Sequence, residues 1–159
     1  MISFAQAQDN LDQLCQTWLA THSEVSEPIA LSESLGRYLT EDVIAVLELP
    51  RSDVSAMDGY AVCSQDRDGA LMSQVFTLKG ESRAGEPYSG DPLVPGECVR
   101  IFTGAVVPAS ADTVVIQENV EHENVFVRML HDTALFANIR RRGEEIAAVS
   151  VIATAGQLI

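Results

Sequence analysis

Three short stretches carry side chains that could do chemistry. The first is Ser55-Ala56-Met57-Asp58-Gly59-Tyr60-Ala61. An aspartate followed by glycine signals a turn: glycine takes positive φ at little cost, and aspartate bonds nearby backbone. Asp58 on such a loop either satisfies its own backbone or offers oxygen ligands to a hard cation. The second is Gly96-Glu97-Cys98-Val99-Arg100-Ile101-Phe102-Thr103-Gly104-Ala105. An apolar strand ends there in Thr103-Gly104. Gly104 permits a sharp turn that could leave backbone N–H groups for an anion, and Thr103 adds a hydroxyl. An ordinary strand-end turn would use the same residues. The third is Arg140-Arg141-Arg142-Gly143-Glu144-Glu145, which holds three of the chain's ten basic residues. Guanidinium groups fork onto carboxylate or phosphate. Pairing with neighbouring acids on a solvated face is the competing use.

Other chemistries have no support. The chain has no GxGxxG, no Walker loop, no HExxH and no GxSxG. His22, His122 and His131 share no short spacing, so a metal site built on them is not expected. Cys15, Cys63 and Cys98 are odd in number and far apart, which suggests neither a disulfide framework nor a CxxC site. A reducing cytoplasm is the expected compartment. Residues 1–20 lack the basic start of a secretory signal, and no apolar run is long enough for a membrane helix. The formal net charge of −13 opposes nucleic-acid binding, which needs a positive field.

The elements that would position these stretches follow from apolar periodicity. Residues 3–20 predict a helix, with Ser3 and Gln6 as a capping box. Leu11, Leu14, Cys15, Trp18 and Leu19 fall on one helical stripe, facing either a core or a second chain. Ser32 to Leu39 predicts a second, short helix, weakened by Gly36. Residues 40–49 read as extended up to Pro50. Beyond Tyr60, apolar runs at 60–63, 75–78, 97–102, 113–117 and 125–130 each suit a strand. Turn signals such as Asp68-Gly69, Gly80 and Pro95-Gly96 separate them. That spacing predicts a compact, barrel-like β domain. Two more strands are expected at 149–153 and near Leu158.

Taken together, Ser55–Ala61, Arg100–Ala105 and Arg140–Ile146 resemble the N-terminal half of the MoeA-type molybdopterin molybdenumtransferase family, to which the E domain of gephyrin is related. Ser34-Leu35-Gly36-Arg37, Glu41-Asp42-Val43, Ala84-Gly85, Ala111–Val115 and Gln117-Glu118 support the resemblance over nearly the whole chain. It implies an α+β, mainly β fold. N-terminal helices would belong to an elongated discontinuous domain of residues 1–48 and 139–159, with a β-rich barrel-like domain inserted at 49–138. It implies a homodimer, Mg²⁺ as cofactor, and molybdate and adenylylated molybdopterin as substrates. The family's catalytic and metal-binding acids fall on Asp58 and Glu145, and its catalytic threonine on Thr103. Gly104 and Arg140 are the expected cofactor-binding residues. The family's pterin-binding and C-terminal domains have no counterpart here, so the resemblance implies part of a longer enzyme, inactive alone. A non-catalytic dimerisation module is the alternative. Departures are Glu145 where Asp is usual, Ser52 for Phe, Val149 for Gly and Thr154 for Pro.

Overall fold

A computed structural model of the chain describes residues 2–21, 26–64 and 71–159. His22 and the expected Asp68-Gly69 turn lie outside the described residues. The strands are β1 (Val43–Ile44), β2 (Val54–Ser55), β3 (Gly59–Val62), β4 (Val75–Ser82), β5 (Glu97–Ile101), β6 (Thr113–Ile116), β7 (Val120–Glu123), β8 (Phe126–Met129), β9 (Ile139–Arg140) and β10 (Val151–Ala153). The helix α1 spans Phe4–Thr21. The fold is mainly β, with one α-helix among the described residues. The chain divides into two compact units, Met1–Val43 with Ala153–Ile159, and Ile44–Ile152.

The first unit opens with the predicted cap. Ser3 Oγ accepts from the Gln6 N–H at 3.2 Å, and Gln6 Oε1 accepts from the Ser3 N–H at 2.9 Å. No residue of α1 is buried, so its apolar stripe packs into no core of the described residues. The expected second helix is not formed. Leu31–Glu33 makes a single 3-10 turn, and Gly36 at φ +80° then turns the chain out of helical geometry. From there the chain pairs with its own C-terminal residues. The Leu39 N–H donates to Gln157 O at 2.9 Å, and the Ile159 N–H to Arg37 O at 2.9 Å. Where a strand is expected near Leu158, Tyr38 and Leu158 form a single antiparallel bridge.

The second unit is built on a six-stranded sheet of order β6-β3-β5-β4-β8-β7. All five expected apolar runs beyond Tyr60 form strands of it. The β4–β5 pair is parallel and its neighbours are antiparallel. Connectivity makes the sheet curl. β6 and β7 are its two edges, yet only Gln117–Asn119 join them. Flat, the edges of six strands would stand ~24 Å apart, at ~4.8 Å per gap. Four residues from Ile116 to Val120 span at most ~14 Å. The sheet therefore bends into a half-barrel, which brings the Tyr60 ring of β3 within 5.9 Å of the His122 ring of β7.

Alternation along the strands fills both faces. Tyr60, Val62, Phe76, Cys98, Val115, Val127 and Met129 pack as one cluster on one face. Ala61, Ile101, Ala105, Val107 and Val114 pack as a second on the other. β3 is buried at all four residues, as a central strand covered on both sides should be.

Candidate functional site

The site gathers around β2, the middle of three short stretches in the second unit. On one side it pairs with β9, Val54 opposite Arg140 and Ser55 opposite Ile139. On the other, Val54 bridges Val106. The Ser55 N–H donates to Ala105 O at 2.9 Å, and Ser55 O accepts from the Gly104 N–H at 2.8 Å. Ser55 Oγ donates to Met57 O at 2.6 Å, closing the turn that carries Asp58. Ser55 is almost fully buried, and it ties the loop of Asp58 to the loop of Thr103. In the sequence this serine is only the first letter of a motif.

Asp58 and Thr103 are in direct contact. Asp58 Oδ1 accepts from both the Thr103 N–H and the Thr103 hydroxyl, each at 2.8 Å. The bond from the Thr103 amide, then that from its hydroxyl, hold the Asp58 carboxyl below the usual carboxylate range. The positive charge of Arg100 adds to this, against a small desolvation cost. Asp58 is thus an exposed, anchored carboxylate. Its neighbour Gly59 cannot be another residue without movement: a Cβ there would lie 2.0 Å from the Val115 carbonyl oxygen.

The Thr103-Gly104 turn forms as expected, with Gly104 at φ +80°. Its amides are nonetheless taken. Thr103 donates to Asp58, Gly104 to Ser55 O, and Ala105 to Phe102 O at 2.9 Å. The turn presents Asp58 rather than a row of open N–H groups.

Arg140, Arg141 and Arg142 each have an acidic partner. Arg140 Nη1 lies 3.3 Å from Glu145 Oε1, both side chains about half exposed. Arg141 pairs with Asp53, and Arg142 with Glu48. Asp53 Oδ1 also accepts from the Arg142 N–H at 2.8 Å. That amide, and then Arg141, hold Asp53 below its ordinary pKa against partial burial. Glu145 is therefore tethered to Arg140, whose strand pairs with β2, while Asp58 is tethered to Thr103. Among the described residues, no group of three or more His, Cys, Asp or Glu could hold a metal ion by itself. Exposed carboxylates such as Asp58 and Glu145 have the chemistry of an open Mg²⁺ site rather than of a closed protein cage.

A family described as the MoeA N-terminal region (domain I and II) matches residues 2–159. The chain is 36% identical over 133 residues to a molybdopterin molybdenumtransferase of Staphylococcus aureus, covering 82% of this chain and 32% of that protein. It is 33% identical over 141 residues to a molybdopterin molybdenumtransferase of Staphylococcus epidermidis, covering 87% of this chain and 33% of that protein. The crystal structure of a molybdopterin biosynthesis MoeA protein from Pyrococcus horikoshii OT3 superposes with a TM-score of 0.74 at 28% identity. That match covers 84% of this chain and 35% of the other. The chain thus spans about a third of the length of the curated relatives it matches.

Proposed function

The chain belongs to the MoeA N-terminal region family, and from that premise we propose that it is the N-terminal part of an enzyme inserting molybdate into adenylylated molybdopterin during molybdenum cofactor biosynthesis. The observation that carries the reading is the anchored pair of Asp58 and Thr103, held by two hydrogen bonds into one carboxylate oxygen. A carboxylate fixed through Oδ1 keeps a defined direction for Oδ2, which is what ordering a cation and an oxyanion requires.

In this reading Asp58 and Glu145 are the residues that would hold Mg²⁺. The ion, when bound, neutralises charge on phosphate and molybdate. Thr103 orients Asp58 through its amide and its hydroxyl. Arg140 holds Glu145, whose side chain is one methylene longer than the family's usual aspartate. Rotation of the Thr103 hydroxyl away from Asp58 would let it donate to an oxyanion, while its amide keeps Asp58 in place. The pterin-binding surface is supplied by sequence outside these residues.

The test is Asp58→Asn in the full-length enzyme. Turnover in molybdate insertion is expected to fall at least ~100-fold, with the melting temperature little changed. Unchanged turnover in a folded variant would overturn the assignment. A second reading, a dimerisation module without chemistry, is favoured by α1. Its Leu11, Leu14, Trp18 and Leu19 are all exposed, and a second copy of the chain is the proposed cover. A dimeric mass in solution that Trp18→Glu turns monomeric supports this; a monomer of the unaltered chain refutes it.

A further inference from the structure

The guanidinium of Arg100 is placed unusually for a surface cation. Arg100 lies in β5, three residues before Thr103, and is half-buried. Its Cζ sits 5.1 Å from the centre of the Tyr60 ring and 4.9 Å from that of Phe102. The negative faces of both rings attract the guanidinium and restrict where the planar group can go. Two of its five N–H donors go to the polypeptide. Nη1 donates to Gly59 O at 3.1 Å, and Nη2 to Gln117 Oε1 at 2.6 Å.

Those two acceptors flank Asp58. Gly59 is the next residue, and its Cα is pressed against the Val115 carbonyl. The Gln117 N–H donates to Asp58 O at 3.1 Å. Arg100 thus ties together the Gly59 carbonyl, the residue that holds the Asp58 carbonyl, and the strand that delivers Thr103. Lysine could supply charge here but not the fork, since its ammonium is a single point on a flexible stem.

We infer that Arg100 is a positioning residue, which braces the Asp58-Gly59 step, where β3 begins, against β5 and Gln117 so that Asp58 meets Thr103 in one fixed geometry. Beside two rings and bonded to backbone and amide oxygens, it acts on Asp58 through the polypeptide. The inference rests on the proposed function for its catalytic consequence alone; the brace itself is a property of this chain.

Two measurements separate these. The first is hydrogen exchange in the full-length protein carrying Arg100→Met. The Thr103 and Gln117 amides are expected to exchange at least ~10-fold faster, while those of Val127 and Met129 in β8 stay as they were. Unchanged exchange at Thr103 and Gln117 overturns the brace. Should β8 also loosen, Arg100→Lys, which keeps the stem and the charge, becomes the deciding variant. It is expected to loosen Thr103 and Gln117 selectively, and unchanged exchange there overturns the brace. The second is kinetics. kcat is expected to fall ~10-fold with KM within ~2-fold, because misplacement of Asp58 weakens the transition state and not substrate binding. Arg100→Lys should recover only part of kcat. Faster exchange with unaltered kcat overturns the positioning role. If Asp58→Asn is itself fully active, the proposed function fails, and the exchange result still decides the brace.

Discussion

Asp53 and Asp58 lie five residues apart on the same stretch and are both depressed in pKa, through different partners. Asp58 is held by Thr103, and Asp53 by the Arg142 amide and the Arg141 side chain. Asp53 therefore fastens the arginine segment to the start of β2. A carboxyl whose folded pKa lies below its unfolded value of 3.8 contributes stability above that value. The contribution is lost as pH falls through the folded pKa. Acid unfolding should accordingly steepen below about pH 5. Asp53→Asn should lower the melting temperature at neutral pH and flatten the curve at acid pH, as thermal melts across the range would show. An unchanged acid limb would mean that Asp53 contributes nothing. In the sequence Asp58, Thr103 and Glu145 stood out because their motifs have specific letters. Ser55 and Asp53 did not, because a buried hydroxyl and a carboxylate bonded to distant backbone leave no periodic trace. The pairing of all three arginines with acids follows the plainer of the two uses open to them.

At the scale of elements, the strands with apolar runs were legible because burial on a curled sheet demands them. β7 was not: its Val-Glu-His-Glu is a polar edge, exposed at three of four residues, and only the pairing with β8 makes it a strand. The helix expected at 32–39 fails where Gly36 adopts positive φ. Val149 is the reverse case. It occupies φ +65°, a left-handed conformation that a β-branched residue adopts at a cost of roughly 1–2 kcal/mol. Its N–H donates to Ala45 O at 2.9 Å, and the Ala45 N–H donates to Ser150 O at 2.8 Å, so the turn is held by the pairing around it. The residue is 80% exposed, and removing its side chain sacrifices little packing. Val149→Gly should therefore stabilise the protein by up to ~1 kcal/mol, after glycine's greater unfolded entropy is deducted. Denaturant titration measures this, with Val149→Ala as the comparison. A lower midpoint for the glycine variant would show that the strain is not there to be relieved.

At the scale of the molecule, the apolar core is unequally shared. Among the described residues, every buried hydrophobic side chain lies in the unit Ile44–Ile152, and Ser34 is the one buried residue of the other unit. Stability follows apolar surface removed from water, at ~25 cal/mol per Å². The half-barrel unit should therefore fold without the terminal segments, and the terminal segments should not fold without it. Cys98 supplies a probe. It is fully buried, and burial pushes its thiol up to about 12, so it resists alkylation while the sheet is closed. A chain of residues 44–152 should melt in one cooperative step, within ~8 °C of the whole chain. Cys98 should stay unlabelled by iodoacetamide below that step and react above it. A peptide of residues 1–43 should give no cooperative transition. If residues 44–152 instead expose Cys98 at room temperature, the half-barrel depends on contacts outside its own two clusters, and the curl imposed by β6 and β7 is not enough to close it.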